Sequence, residues 1–186
     1  VAVPILHEFT ADQIHNIVNH SEAKLLFVGD YVATIIDQTK MPDLEGIIYI
    51  PDYSLVVSRT DKLTYAREHL NAMFGEKYPK FFRKEHVHYY REQSPEELAL
   101  INYTSGTTGF SKGVMIPYRA MWINYDFAMT AVAKHFKKGD NVISILPMAH
   151  MYGMAFEFLF EFLFGCHVFY LTRVPSPAII AAAFAE

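Results

Sequence analysis

Short apolar runs that end on turn residues set the tightest limit on what this chain can fold into. "AKLLFVGD", "GIIYIP", "LALINYTSG", "NVISILPM" and "CHVFYLT" are each bounded by Gly, Pro, Asp or Ser. They lack the polar alternation of a half-exposed strand and match strands covered on both faces. Helical patterns lie between them. "TADQIHNIVNHSE" opens on Thr10, an N-cap residue type, and puts Ile14, Ile17 and Val18 on one stripe, while "PYRAMWINYDFAMTAVAKHF" and "AHMYGMAFEFLFEFLF" predict longer helices. This alternation predicts an α/β fold with a doubly wound, mostly parallel sheet flanked by helices. Residues 1–51 read as a first α/β unit, 52–97 as a connecting segment and 98–186 as a second α/β unit.

Composition removes several function classes. Of 186 residues 52% are hydrophobic, and the formal net charge is only −4, so the chain is neither disordered nor a polycation built for nucleic acid. A single cysteine, Cys166, excludes an internal disulfide and fits a reducing compartment, with the cytoplasm as the expected location. The greasy stretch "GMAFEFLFEFLFGCHVFYL" is long enough to span a bilayer, but Glu157 and Glu161 would each cost about 2.5 kcal/mol or more at its centre. Gly165 also divides it into a helix and a strand, so no transmembrane segment is expected. "VAVPIL" has neither an initiator methionine nor signal-peptide features, and "VPSPAIIAAAFAE" opens a helix at the other end, which together read as a chain cut at both ends. Within 52–92, "KYPKFFRKEHVHYYRE" mixes Lys77, Lys80, Arg83, Lys84 and Arg91 with Tyr78, Phe81, Phe82, Tyr89 and Tyr90. A basic aromatic surface for a nucleotide, a coenzyme or a lipid headgroup at a membrane is one reading of this stretch. A connection with inward aromatics and solvated charges is the other, and Glu76, Glu85 and Glu92 favour it by diluting the charge.

The chemistry concentrates in "YTSGTTGFSKGV", Tyr103 to Val114. A strand ending at Tyr103, a Gly and Thr loop, and a helix expected near Pro117 form a topology that gathers backbone N–H groups around an anion. Gly106 and Gly109 free the backbone, Thr104, Ser105, Thr107, Thr108 and Ser111 bring hydroxyl donors, and Lys112 adds the positive charge that phosphate oxygens need. The pattern departs from a Walker loop, because its second glycine would fall at Ser111 and Gly113 stands where Ser or Thr should follow the lysine. On composition alone, a polar strand-to-helix turn explains the stretch equally well.

The order of residues in "YTSGTTGFSKGV" resembles the phosphate loop of the adenylate-forming superfamily: the AMP-forming acyl-CoA synthetases, the luciferases and the peptide-synthetase adenylation domains. Ser111 stands where those proteins usually carry a proline. "LPMAHMYGM", Leu146 to Met154, resembles their next conserved segment, and residues 1–30 resemble their early α/β region. The resemblance implies that residues 1–186 are a fragment of the large N-terminal AMP-binding domain of an acyl-CoA synthetase, with a long-chain fatty acid–CoA ligase favoured. It implies ATP, Mg2+ and CoA as reactants, with Thr104, Ser105, Gly106, Thr107, Thr108, Gly109 and Lys112 around the phosphates and Thr104 touching the magnesium. His150 would bind the substrate carboxylate or a phosphate, and with Lys112 it is a candidate catalytic residue; Tyr152 and Gly153 would shape the acyl channel. Relatives of full length carry an acidic magnesium ligand, a ribose-binding aspartate, a hinge and a C-terminal domain with a catalytic lysine further along. The 186-residue polypeptide is therefore expected not to turn over alone. The alternatives are a non-catalytic α/β module for a phosphorylated ligand or partner, an aryl-CoA ligase, or a peptide-synthetase adenylation domain.

The remaining candidates read as structural. His86 and His88 make a surface pair rather than a metal site. Glu157 and Glu161, four apart on a helix, read as a solvated or capping stripe. Cys166 reads as a buried, inert thiol, and Asp30 as a phospho-acceptor only if the fold were receiver-like, which the hydroxyl-rich loop argues against.

Overall fold

Thr10 starts the first helix as its side chain predicts. In the computed structural model, which describes residues 1–83, 86, 94–104, 112–171 and 175–185, Thr10 accepts from the amide of Gln13 while the Gln13 side chain accepts from the Thr10 amide, a reciprocal capping box. The chain forms two compact units, a smaller one over His7–Gln93 and a larger one made of Val1–Leu6 with Ser94–Glu186.

In the smaller unit, α1 (Ala11–His20) precedes β1 (Leu25–Val28), α2 (Asp30–Ile35) and β2 (Gly46–Tyr49). β1 and β2 are parallel, with Leu25 opposite Gly46, and β3 (Leu55–Ser58) adds to β2 antiparallel. Helices α3 (Asp61–Glu68) and α4 (Leu70–Lys77) follow. The buried apolar set is Phe9 ahead of α1, Ile14, Ile17 and Val18 from α1, Leu26 and Val28 from β1, Ile47 from β2, and Met41 and Leu44 between the strands. Polar fasteners surround it. Arg59 donates through Nη1 to the carbonyls of Met41, Pro42 and Leu44 and through Nη2 to that of Gln38. The buried His15 accepts at Nε2 from the amide of Asp37 at 2.9 Å.

The stretch 52–97, expected as a connection, therefore contains a strand and two helices. Its signals are short: Asp52 turns the chain by accepting from the amide of Ser54, and Thr60 caps α3 by accepting from that of Leu63. In the basic aromatic part, Tyr78 packs against Phe74, Phe82 and His86, and Arg83 lies 4.2 Å from the Phe81 ring centre. Lys84, His88, Tyr89, Tyr90 and Arg91 lie outside the described residues.

The larger unit pairs β4 (Leu98–Thr104) with β5 (Lys112–Pro117) as an antiparallel hairpin, and Ala2 bridges to Leu100. Then come α5 (Tyr118–Ala131), a 3-10 turn at Ala133–His135 and β6 (Asn141–Ser144). A π-helical run, Gly153–Phe160, continues as α6 (Glu161–Phe164) and returns the chain to β7 (His167–Tyr170), parallel to β6; α7 (Pro177–Ala183) follows, capped by Ser176. Gly165 ends α6 in the left-handed region at φ 95°, which a glycine adopts without strain, so the greasy stretch does split there. Among the described residues no helix is long and apolar enough to cross a membrane.

The hairpin adds to the expected strand, loop and helix: the helix starts at Tyr118, next to the expected Pro117, but a strand from Lys112 comes before it. Cross-strand pairing won over the loop-like composition: Gly113 sits opposite Tyr103, whose ring would lie 3.1 Å from any Cβ placed there. A bare glycine lets that buried tyrosine cover the strand.

Candidate active site

β4 delivers its last three residues to different environments. Asn102 and Thr104, two apart, share one face of the strand, with Asn102 buried and Thr104 exposed. Tyr103 points the other way and is buried against Gly113. Thr104 pairs directly with Lys112, so a hydroxyl and an ammonium flank the mouth of the hairpin. Ser105, Gly106, Thr107, Thr108, Gly109 and Ser111 lie outside the described residues.

A second segment is built from the carboxyl end of β6. Glu157 reaches back from the π-helical run, and its Oε2 accepts from Ser144 Oγ at 2.9 Å, Ile145 N at 2.7 Å and Leu146 N at 2.8 Å. From there the chain turns, and His150 N donates to the carbonyl of Pro147. Gly153 is buried where an added Cβ would stand 2.5 Å from that carbonyl oxygen, so the turn closes only over a glycine. Asn102 Nδ2 donates to the carbonyl of Ala149 at 2.9 Å. That bond ties the strand ending in Thr104 to the residue before His150.

His150 and Tyr152 are exposed, and the Tyr152 ring packs on Phe156 at 4.8 Å. The Tyr152 amide donates to His150 Nδ1 at 3.3 Å. In the neutral ring that acceptor role leaves the proton on Nε2, a donor suited to a carboxylate or phosphate oxygen.

Only Glu161 departs from the expected solvated or capping stripe. Glu157 caps, but at the end of a strand, whereas Glu161 is buried rather than solvated, and its Oε2 has no hydrogen-bond partner among the described residues. Burial, with the Glu157 charge adding to it, pushes the Glu161 carboxyl up to about 7. Cys166 is half-buried, and burial with the charges of Glu161 and Asp140 pushes its thiol up, which keeps it in the unreactive form. His86 accepts at Nδ1 from the amide of Arg83 and packs on Phe82. Asp30 is bonded to the Tyr49 hydroxyl.

Among the described residues no group of three or more His, Cys, Asp or Glu side chains converges on one point. The hydroxyl of Thr104 is a single neutral oxygen at the hairpin mouth, which fits a magnesium ion carried on phosphate oxygens and water rather than in a protein cage.

Sequence reasoning missed Asn102 and did not see that Glu157 caps the end of β6. Each carried a signal: an amide inside the apolar run "LALINYT" and a carboxylate inside "GMAFEFLF" are polar groups that burial obliges to find partners.

The model of the AMP-binding enzyme family matches residues 1–186. Long chain acyl-CoA synthetase 7, peroxisomal, of Arabidopsis thaliana is 29% identical over 163 residues, which is 83% of this chain and 21% of that protein. The 4-chlorobenzoate–CoA ligase of an Arthrobacter species is 40% identical over 65 residues, 35% of this chain and 12% of that protein. In shape the chain is similar to ATP-bound MatB from Rhodopseudomonas palustris, at TM-score 0.64 and 22% identity, over 100% of this chain and 33% of that one. The chain belongs to the AMP-binding enzyme family, with the α/β fold of acyl-CoA synthetase N-terminal domains. It spans about a fifth of the length of the plant synthetase.

Proposed function

We propose that this chain carries the phosphate-loop and carboxylate-side segments of an ATP-dependent, AMP-forming ligase that joins a fatty acid to coenzyme A. The observation that carries the reading is the Asn102–Ala149 hydrogen bond, because it links the strand ending in Thr104 to the turn carrying His150. The family match supports adenylate formation, and the name of the plant relative supports a long-chain acid.

A carboxylate is a poor electrophile and is repelled by a polyanion, so the first step needs fixed donors and cations on the leaving phosphates. In this reading the carboxylate oxygen bonds to the α-phosphorus of ATP, the bond to the bridging oxygen breaks, and pyrophosphate leaves. Thr104, Ser105, Gly106, Thr107, Thr108 and Gly109 hold the β and γ phosphates with Lys112, while His150 donates from Nε2 to an oxygen of the acid. Tyr152 and Gly153 border the acyl channel. Magnesium, when bound through the phosphates and Thr104, supplies positive charge to the leaving group. The thiol of coenzyme A then attacks the acyl carbon, and AMP departs.

The test is acid-dependent ATP–pyrophosphate exchange by the full-length protein. Lys112→Ala is expected to lower its rate on the order of a hundredfold, and exchange that continues at the wild-type rate would remove Lys112 from the site. The 40% identity to a chlorobenzoate ligase favours an aryl acid as the second reading. Comparing a long-chain saturated acid with a benzoate in the same assay separates the two. The 186-residue chain assayed alone is expected to give no turnover.

A further inference from the structure

A turn between a strand and a helix ordinarily leaves its amides and carbonyls to water. The turn from Leu146 to Gly153 does not. The Glu157 carboxylate takes the amides of Ile145 and Leu146 on one oxygen, together with the hydroxyl of the buried Ser144. From another element, the buried Asn102 takes the carbonyl of Ala149 at 2.9 Å. The turn is also closed on itself by the His150 amide and by Gly153, against whose bare Cα the Pro147 carbonyl sits.

We infer that Glu157 and Asn102 are positioning residues: between them they fix the Leu146–Gly153 turn, and with it the His150 imidazole, relative to Thr104 at the end of β4. The inference rests on the acid-activating reading above and deepens it by naming what aims the carboxylate-side group. Neither residue touches a reactant; each acts through the backbone that leads into His150, Glu157 at Ile145 and Leu146 and Asn102 at Ala149. Glu157 is suited to this because a charged acceptor makes shorter and stronger bonds to amides than a neutral one does. Asn102 is suited because its amide spans from the strand that bears Thr104 to the turn, so the two candidate binding segments cannot shift independently.

The test uses the full-length protein, reading acid-dependent ATP–pyrophosphate exchange with separate KM values for acid and ATP, and amide hydrogen exchange across residues 142–154. Glu157→Ala is expected to lower kcat/KM for the acid on the order of tenfold to a hundredfold, as small misplacements of a binding group do. The KM for ATP should stay within about twofold, and the amides of Ile145 and Leu146 should exchange faster. Glu157→Gln, which keeps an accepting oxygen, should recover most of the loss. Asn102→Ala should act in the same direction, and the double variant should lose less than the product of the single losses, because both act on one turn.

A Glu157→Ala protein with wild-type constants for the acid, or with acid and ATP constants worsened in parallel, overturns the inference. So does a Gln variant no better than Ala. Should Glu157→Ala fail to fold, an Asn102→Ala protein with an unchanged acid constant overturns it equally. The unaltered protein is run beside them: absence of acid-dependent exchange there refutes the acid-activating reading itself, whereas exchange that is present there and unchanged in Glu157→Ala refutes only the positioning role.

Discussion

The two units use polar side chains in opposite ways. In the smaller unit, Arg59 closes on four carbonyls, His15 accepts from the Asp37 amide, and Thr10 and Gln13 satisfy each other, so polar side chains fasten a scaffold and stop there. In the larger unit, Asn102 and Glu157 fasten the two segments on which the candidate reacting groups are mounted, and Glu161 is buried without a hydrogen-bond partner for Oε2 among the described residues. A scaffold minimises its free energy locally. A site retains polar groups whose value lies in where they hold a neighbour.

Removing the strongest fastener of the smaller unit is the sharpest way to break this contrast. Arg59→Ala leaves four carbonyls without their charged donor, and because the side chain is exposed, so that water can replace it, the expected cost is about 2 kcal/mol rather than the sum of four buried bonds. Chemical denaturation of the full-length protein should show that loss, while the KM for ATP measured below the unfolding transition stays at its wild-type value. A variant whose ATP constant rises as its stability falls would mean that the division of roles between the units is wrong.

What the sequence revealed follows the same line. The five apolar runs became β1, β2, β4, β6 and β7, because an apolar run between turn residues is visible in one dimension, but the expected cover on both faces is incomplete: β1 alternates, with Leu25 and Phe27 exposed, and β7 exposes Phe169 and Tyr170. β3 and β5 escaped notice for separate reasons. β3 is a four-residue strand inside a charged stretch, and β5 opens with Lys112 and Gly113, which look like loop until Tyr103 is known to lie across from Gly113. The two candidate segments were legible from ordered residue types, but the partners that hold them were not. That Asn102 meets Ala149 across 47 positions, or that Glu157 turns back to the end of β6, depends on pairings that no local pattern encodes.

Glu161 gives a smaller effect with the opposite sign. Its carboxyl ionises near 7 in the folded chain against an ordinary value of 4.5, so between those values the folded state binds more protons than the unfolded one. Stability therefore falls as pH rises from about 4.5 to about 7 and is constant, in this respect, above that window. Glu161→Gln removes the cost of burying the charge and should raise stability at pH 8 by about 1–2 kcal/mol, with little difference from wild type at pH 4. Denaturation midpoints at the two pH values check this; an equal shift at both would mean that the gain comes from packing and not from charge.

Thr10 tests the contrast at its weakest point. Its hydroxyl accepts from the Gln13 amide at 3.4 Å, a long bond, while the Gln13 side chain accepts from the Thr10 amide at 2.9 Å and survives replacement of the threonine by alanine. Only half of the capping box is lost in Thr10→Ala, so the expected cost is about 1 kcal/mol, within the ordinary range for an N-cap and below that of Arg59→Ala. The effect should also be local. Hydrogen exchange should quicken in the first turn of α1 while the amides of Ile145 and Leu146, held by Glu157, keep their protection. Faster exchange at those two amides in Thr10→Ala would show that a scaffold cap in the smaller unit sets the order of the candidate site, which is the outcome a separation of fastening from positioning forbids.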